Sequence, residues 1–300
     1  MRLSDATVTI VGLGLMGGSL GKALVGSGAC RQVRGLVRRL AVARDAVALG
    51  ATHLAGMDAE QLLDGADLVV LATPVRTIER QIAMLHPFMK AGAILTDMGS
   101  VKRNIVHAME QLPPHIKAVA GHPMCGKETP GLRASDQDLF REKVWVLIRS
   151  KQTDPIALEL VEEMVRSVGA QALFMSAEDH DLVAACVSHL PYVLAATLVS
   201  VAEETALGLP DVWNLASSGF RDTSRVAGGD LTMMTDILAA NRDSVLQMLE
   251  TAQRILKGFA GAIADTDETG LHKALASIRA RRSAMFVEQS SYGEGSRNHE

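Results

Sequence analysis

A glycine run set between an apolar strand and a helix constrains this chain more than any other feature. Thr7–Val11 reads as a strand, Gly12-Leu-Gly14-Leu15-Met16-Gly17-Gly18 as a turn, and the residues through about Leu24 as a helix. Each glycine has its own task in such a unit. Gly12 makes the tight turn, Gly14 lets the backbone approach a pyrophosphate, and Gly17 allows close helix–strand packing. The helix start, with Leu15 and Met16, then directs its amides toward the phosphates. A bare GxGxxG is a weak signal, but the strand–turn–helix setting makes it specific for a dinucleotide.

The remainder of the first half agrees. Val33–Val37, Leu68–Thr73, Ala93–Thr96, Ala118–Ala120 and Val144–Ile148 read as strands alternating with helical stretches. That pattern predicts an α/β fold, a Rossmann-type doubly wound parallel sheet. After about residue 177 the strand signal disappears. Asp179–Ser188, Tyr192–Ala206 and Asp211–Ser217 read as helices, and Val245, Leu249, Ala252, Leu256, Phe259 and Ile263 mark one apolar face of a long helix. The expected division is a nucleotide-binding domain over 1–176, an all-α domain over 177–286 and a disordered tail over 287–300. Apolar helix faces of this kind are buried against a second copy, so a homodimer is expected; a self-contained bundle is the alternative.

Composition narrows the class. Of 300 residues 48% are hydrophobic, enough for a packed core, and a net charge of −4 provides no basic footprint for nucleic acid. Three scattered cysteines, Cys30, Cys125 and Cys186, exclude a disulfide scaffold and a cysteine–metal site and fit a reducing cytosol. No signal peptide is evident, and the apolar stretch Leu190–Ala202, interrupted by Pro191, falls short of the roughly 18 residues of a membrane span. The expectation is a cytoplasmic protein with a small-molecule substrate and no metal, membrane or nucleic-acid partner.

The acidic residue that binds a ribose 2′-hydroxyl in NAD enzymes is missing after the second strand. Arg38 and Arg39 stand there instead and suit a 2′-phosphate, which favours NADP over NAD; an exposed charge cluster is the alternative. Three strand ends face the ligand side. They carry Thr73–Pro74, the run Asp97-Met-Gly-Ser100-Val-Lys102, and Gly121-His122-Pro123-Met124. Pro123 biases His122 to extended backbone on a loop. An imidazole there suits removal of a hydroxyl proton, and Ser100 suits a hydrogen bond to the same hydroxyl. A loop-packing histidine is an equal reading of His122 alone. Taken singly, His189 reads as a core histidine, Arg225 as a surface ion-pair partner, His180–Asp181 as a helix cap, and Cys125 as a small loop residue.

Taken together, GLGLMGGSLGKAL, TDMGSVK, GHPMCGKE, DLF…W, HD…SHLPY and GFRDTSR, in this order, resemble the prephenate/arogenate dehydrogenase family of tyrosine biosynthesis. The resemblance implies a Rossmann domain, a helical dimerisation domain, and oxidative decarboxylation of prephenate to 4-hydroxyphenylpyruvate with hydride transfer to NAD(P)+. Arogenate, giving tyrosine directly, is the alternative substrate. It implies that His122 is the catalytic base, Ser100 its hydroxyl-binding partner, and Arg225 the holder of the ring carboxylate. Glu128, Arg221 and Asp222 fall on an ionic network at the site mouth, and His189 and Tyr192 on the substrate pocket. Tyr192 replaces the second histidine of the family's SHLPH, Ser224 replaces a threonine, and Cys125 and Lys127 alter the mouth. Two other readings compete. A different Rossmann hydroxyacid dehydrogenase would place a catalytic lysine within Val165–His180, where none occurs. A non-enzymatic nucleotide sensor would not need Ser100, His122 and Arg225 in one pocket.

Overall fold

A computed structural model describes residues 1–127, 129–149 and 153–294. Six parallel strands, β1 (Thr7–Val11), β2 (Gln32–Leu36), β3 (Leu54–Gly56), β4 (Leu68–Leu71), β5 (Ile94–Asp97) and β6 (Lys117–Val119), form a sheet in the order 3-2-1-4-5-6. The order reverses between β1 and β4, and ligands of such sheets lie in the crevice beyond that point. Successive residues of the central strands face opposite layers. Val8 and Ile10 join one core cluster with Leu20, Leu24 and Leu160, whereas Val11, Val69 and Leu71 join another with Ile78 and Ile105. Burial on both faces explains why LVVL is apolar throughout.

The helices of this part are α1 (Leu15–Ser27), α2 (Leu40–Ala48), α3 (Ala59–Leu63), α4 (Val75–Leu85), α5 (Arg103–Glu110) and α6 (Pro155–Ser167). A second, three-stranded sheet of β7 (Gly121–Pro123), β8 (Val144–Ile148) and β9 (Gln171–Met175) follows, with β7 antiparallel to β8. His122 therefore sits on a short strand, facing Val146 across the ladder, and not on the loop that its sequence suggests.

Beyond Ser176 the chain is helical: α7 (Ala177–Ala184), α8 (Leu190–Ala206), α9 (Val212–Leu215), α10 (Ser218–Ser224), α11 (Leu231–Ala240), α12 (Arg242–Ala264) and α13 (Glu268–Glu294). Ser176 caps α7 by accepting the Asp179 amide, so His180 and Asp181 lie inside the helix and are not its cap. The sequence predicts a break near Pro191. The structure instead joins α7 to α8 through a π turn, Ala185–His189. Proline lacks an N–H and its ring collides with the carbonyl four residues back, here that of Val187; widening the turn relieves both problems.

The continuous helix from Ala177 to Ala206 is long and apolar enough, by length and composition, to cross a bilayer, which the interrupted stretch read from sequence was not. Its first turns are nevertheless built into the protein, because Asp181 accepts the amides of Lys102 and Arg103. Packing divides the chain at Val245, into Met1–Val245 and Leu246–Glu300, and so groups α7–α11 with the sheets. Residue 176 marks where strand gives way to helix. In the second unit, Leu256, Ile263, Leu275 and Ile278 are exposed. There α13 continues to Glu294, into the stretch expected to be disordered.

Candidate active site

The nucleotide end is built from backbone. Gly12 has φ +94°, and a Cβ on it would lie 2.5 Å from Thr73 Cγ2. A Cβ on Gly17 would lie 2.0 Å from the Gly12 carbonyl oxygen, so neither position accepts a side chain without moving backbone. Gly14 differs: no protein atom comes within 4 Å of its absent Cβ. Open space beside a glycine at a helix start is what a pyrophosphate requires, so the residues present fit a dinucleotide. The first helical bond of α1 runs from Gly18 to the Gly14 carbonyl at 3.0 Å, leaving the amides of Leu15, Met16 and Gly17 ahead of it. Arg38 and Arg39 are exposed just past β2, and no ion pair engages either among the described residues. Thr73 donates its hydroxyl to Gln81 at 2.6 Å and packs its methyl against the glycine turn.

Along the sheet edge from that turn, charged and imidazole groups form one buried network. His122 Nδ1 lies 2.9 Å from His180 Nε2, and His180 Nδ1 lies 2.8 Å from Asp181 Oδ1. Asp181 also accepts the Lys102 amide at 2.7 Å and the Arg103 amide at 3.0 Å. Its burial works against ionisation, but His180 and those two amides outweigh this and hold the carboxyl below the usual range. Asn241 Nδ2 donates to the Asp181 carbonyl at 2.7 Å and lies 3.2 Å from His189 Nδ1.

These bonds assign the tautomers. An ionised Asp181 accepts the hydrogen bond of His180 Nδ1–H, and His180 Nε2 then accepts from His122 Nδ1–H. His122 is left with an unprotonated Nε2, and no protein partner meets that atom among the described residues. His122 is half-buried, and the protein packed around its ring disfavours the cation. Burial first, then His180, Lys102 and His189, hold its pKa well below 6.5. His189 is also neutral, lowered to about 4 chiefly by burial.

The remaining expected residues are placed less tightly. Ser100 is half-buried beyond β5, and Tyr192 packs partly buried against the second core cluster. Neither joins the histidine network among the described residues. Arg225 is exposed on a 3-10 turn after α10, both packed on α8; Arg221 is exposed and pairs with Asp222 at 3.7 Å. Glu128 lies outside the described residues. Cys125 is no nucleophile, since burial pushes its thiol up to about 11.

Comparison with known families decides the class. The prephenate dehydrogenase nucleotide-binding domain profile matches residues 20–174, and the prephenate dehydrogenase dimerization domain profile matches residues 176–277. The chain belongs to the prephenate dehydrogenase family. The nucleotide-binding match begins after the glycine turn, so that turn is an independent observation. Prephenate dehydrogenase of Bacillus subtilis is 29% identical over 96% of this chain and 78% of its own length. Cyclohexadienyl dehydrogenase of Zymomonas mobilis is 32% identical over 87% of this chain and 89% of its own length. Among solved structures, prephenate dehydrogenase from A. aeolicus in complex with hydroxyphenyl propionate and NAD+ has a TM-score of 0.87 at 31% identity, covering 95% of this chain and all of that one.

As a prephenate dehydrogenase family member, this chain braces His122 with residues whose part in the site the sequence did not reveal: His180 and Asp181, which read as a helix cap, Asp97 and Lys102, which read only as a polar strand end, and Asn241. The only sequence signal was polar residues inside otherwise apolar segments. A buried polar group needs partners, and those partners lie far away along the chain.

Proposed function

We propose that this protein oxidatively decarboxylates prephenate to 4-hydroxyphenylpyruvate, with arogenate as the alternative substrate and NADP as the preferred cofactor. The observation that carries the reading is His122: a neutral imidazole with an unprotonated Nε2, held from behind by His180 and Asp181. The amides of Leu15, Met16 and Gly17 hold the pyrophosphate, Thr73 lines the turn beside it, and Arg38 and Arg39 hold the 2′-phosphate. The bound dinucleotide supplies the hydride acceptor. His122 takes the proton of the ring hydroxyl while Ser100 orients that hydroxyl. As hydride leaves the ring carbon bearing that hydroxyl, the electron pair freed when the ring carboxylate departs as CO2 would make the ring aromatic, and the phenolate oxygen would take its proton back from His122. Arg225 positions the carboxylate bidentately, and because the group must leave as a neutral gas, this arginine acts in binding. His189 and Tyr192 serve the pocket for the substrate side chain, and Arg221, Asp222 and Glu128 are assigned to the ionic network that the family resemblance implies.

The domain division follows function, with the nucleotide bound by residues 1–176 and the substrate and dimer contacts in 177–286. The match to a dimerization-domain profile, together with exposed Val187, Leu194, Val201, Leu256 and Ile263, supports a homodimer. Three free cysteines fit a reducing, cytoplasmic setting. Measuring kcat/KM for prephenate and for arogenate, each with NADP and NAD, tests the reading. Turnover of neither substrate contradicts it.

A further inference from the structure

We propose that the buried Asp97–Lys102 ion pair is a positioning device for the base, gripping both main-chain groups of Gly121 and so setting the backbone from which His122 projects. This inference rests on His122 being the base. Asp97 ends β5, Lys102 follows five residues later, and neither side chain has any exposed surface. Lys102 Nζ donates to the Gly121 carbonyl at 2.7 Å and to Asp97. Asp97 Oδ1 accepts the Gly121 amide at 3.0 Å, and its other oxygen accepts the Gly99 amide at 2.8 Å. β7 is an edge strand of the second sheet, and on its open side the pair supplies the bonds that a neighbouring strand would otherwise make.

Gly121 is itself fitted to this grip, since a Cβ there would lie 2.9 Å from Trp145 Nε1 and 3.1 Å from the Asp97 carbonyl oxygen. The same lysine reaches the base by a second route. Its main-chain amide donates to Asp181, which holds His180 against the His122 ring. Lys102 thus braces His122 both through its backbone and through its ring. Being fully enclosed, it cannot touch substrate and acts only through its neighbours.

The mutual attraction of the pair does not by itself account for it, because removing two charges from water costs about as much as that attraction returns. What two apolar residues could not supply is the set of bonds to the main chain of Gly99 and Gly121. The pair also contributes a field. The charged and titratable groups around His122 are Lys102 from the β5 end, His180 from α7 with Asp181 behind it, and His189 from the π turn. Lys102 is the cation among them and opposes protonation of the base; burial pulls its own pKa down, and the Asp97 carboxylate beside it works to keep it charged.

The test compares Lys102→Met, Lys102→Gln and the double variant Asp97→Asn/Lys102→Met, which leaves no unpaired buried charge, with His122→Ala in parallel. NADP binding and thermal unfolding confirm that each variant is folded. We expect Lys102→Met and the double variant to lower kcat by about 10- to 100-fold, the scale of a misplaced catalytic group, with KM little changed. Lys102→Gln can still donate to the Gly121 carbonyl and should recover much of kcat. In the two single Lys102 variants the acid limb of kcat/KM should move to higher pH, because the cation is gone while Asp97 remains; in the double variant, which removes both charges, it should move less. If His122→Ala retains activity, the base reading falls and this inference with it. If His122→Ala is inactive while the folded Lys102 variants keep wild-type kcat and an unmoved acid limb, the positioning role alone is overturned.

Discussion

His180 Nε2 lies 2.9 Å from His122 Nδ1, and through that contact the Asp181 carboxylate decides which nitrogen of His122 is free. Changing Asp181 to Asn allows its amide to donate to His180 and reverses the order of donors. We expect Asp181→Asn to lower kcat by about 10²–10⁴-fold, with KM changed far less. His180→Gln should fall in the same direction. Steady-state kinetics in which both variants match wild type would remove the relay from the account.

Arg225 is assigned to substrate binding, so its loss should appear in KM. A charge-assisted bidentate contact is worth roughly 1.5–3 kcal/mol, which corresponds to about a 10- to 100-fold rise in KM for Arg225→Ala. A fall in kcat at unchanged KM would place Arg225 in the chemical step instead.

The proposed preference for NADP rests on Arg38 and Arg39. NADP should exceed NAD in kcat/KM, and Arg38→Ala/Arg39→Ala should erode that preference by weakening NADP binding while leaving NAD nearly unaffected. An NAD advantage of about tenfold, near 1.4 kcal/mol, contradicts the assignment.

Buried neutral histidines make stability pH-dependent, and the sign follows from proton counting. In the unfolded chain His122 and His189 titrate near 6.5, whereas in the folded protein both pKa values lie lower, that of His189 at about 4. As pH falls below about 6.5 the unfolded state binds more protons, so stability is lost from there down toward each folded pKa. His189 alone corresponds to roughly 3 kcal/mol across that window. Urea unfolding at pH 7.5 and pH 5 should show the loss, and His189→Asn should reduce it. Equal midpoints at both pH values would contradict the assignment of His189 as buried and neutral. For the same reason, the acid limb of kcat/KM should lie below pH 6.5.

The strand–glycine turn–helix unit was legible in sequence because its determinants are local. Gly12, Gly14 and Gly17 act within one turn, and Arg38 and Arg39 follow the next strand directly. The apolar runs of β1 and β4 likewise report their own burial. The histidine network was not legible in the same way. His180 looks like a helix cap when read beside Ser176, and only the long-range contact with His122 shows it to be a ring partner. Lys102 reads in sequence only as part of a polar run at a strand end, and its enclosure by Asp97 and Gly121 shows in the packing alone. Asn241 is sixty residues from the Asp181 carbonyl that it bonds. Pro191 marked the irregularity correctly, but packing turned the expected break into a π turn that buries His189.

The most direct test of the account is kcat for His122→Ala with prephenate and NADP, measured at saturating substrate near neutral pH. Loss of a positioned general base predicts a fall of about 10²–10⁴-fold with KM changed by much less. A kcat within a factor of a few of wild type would contradict the assignment of His122 as the base.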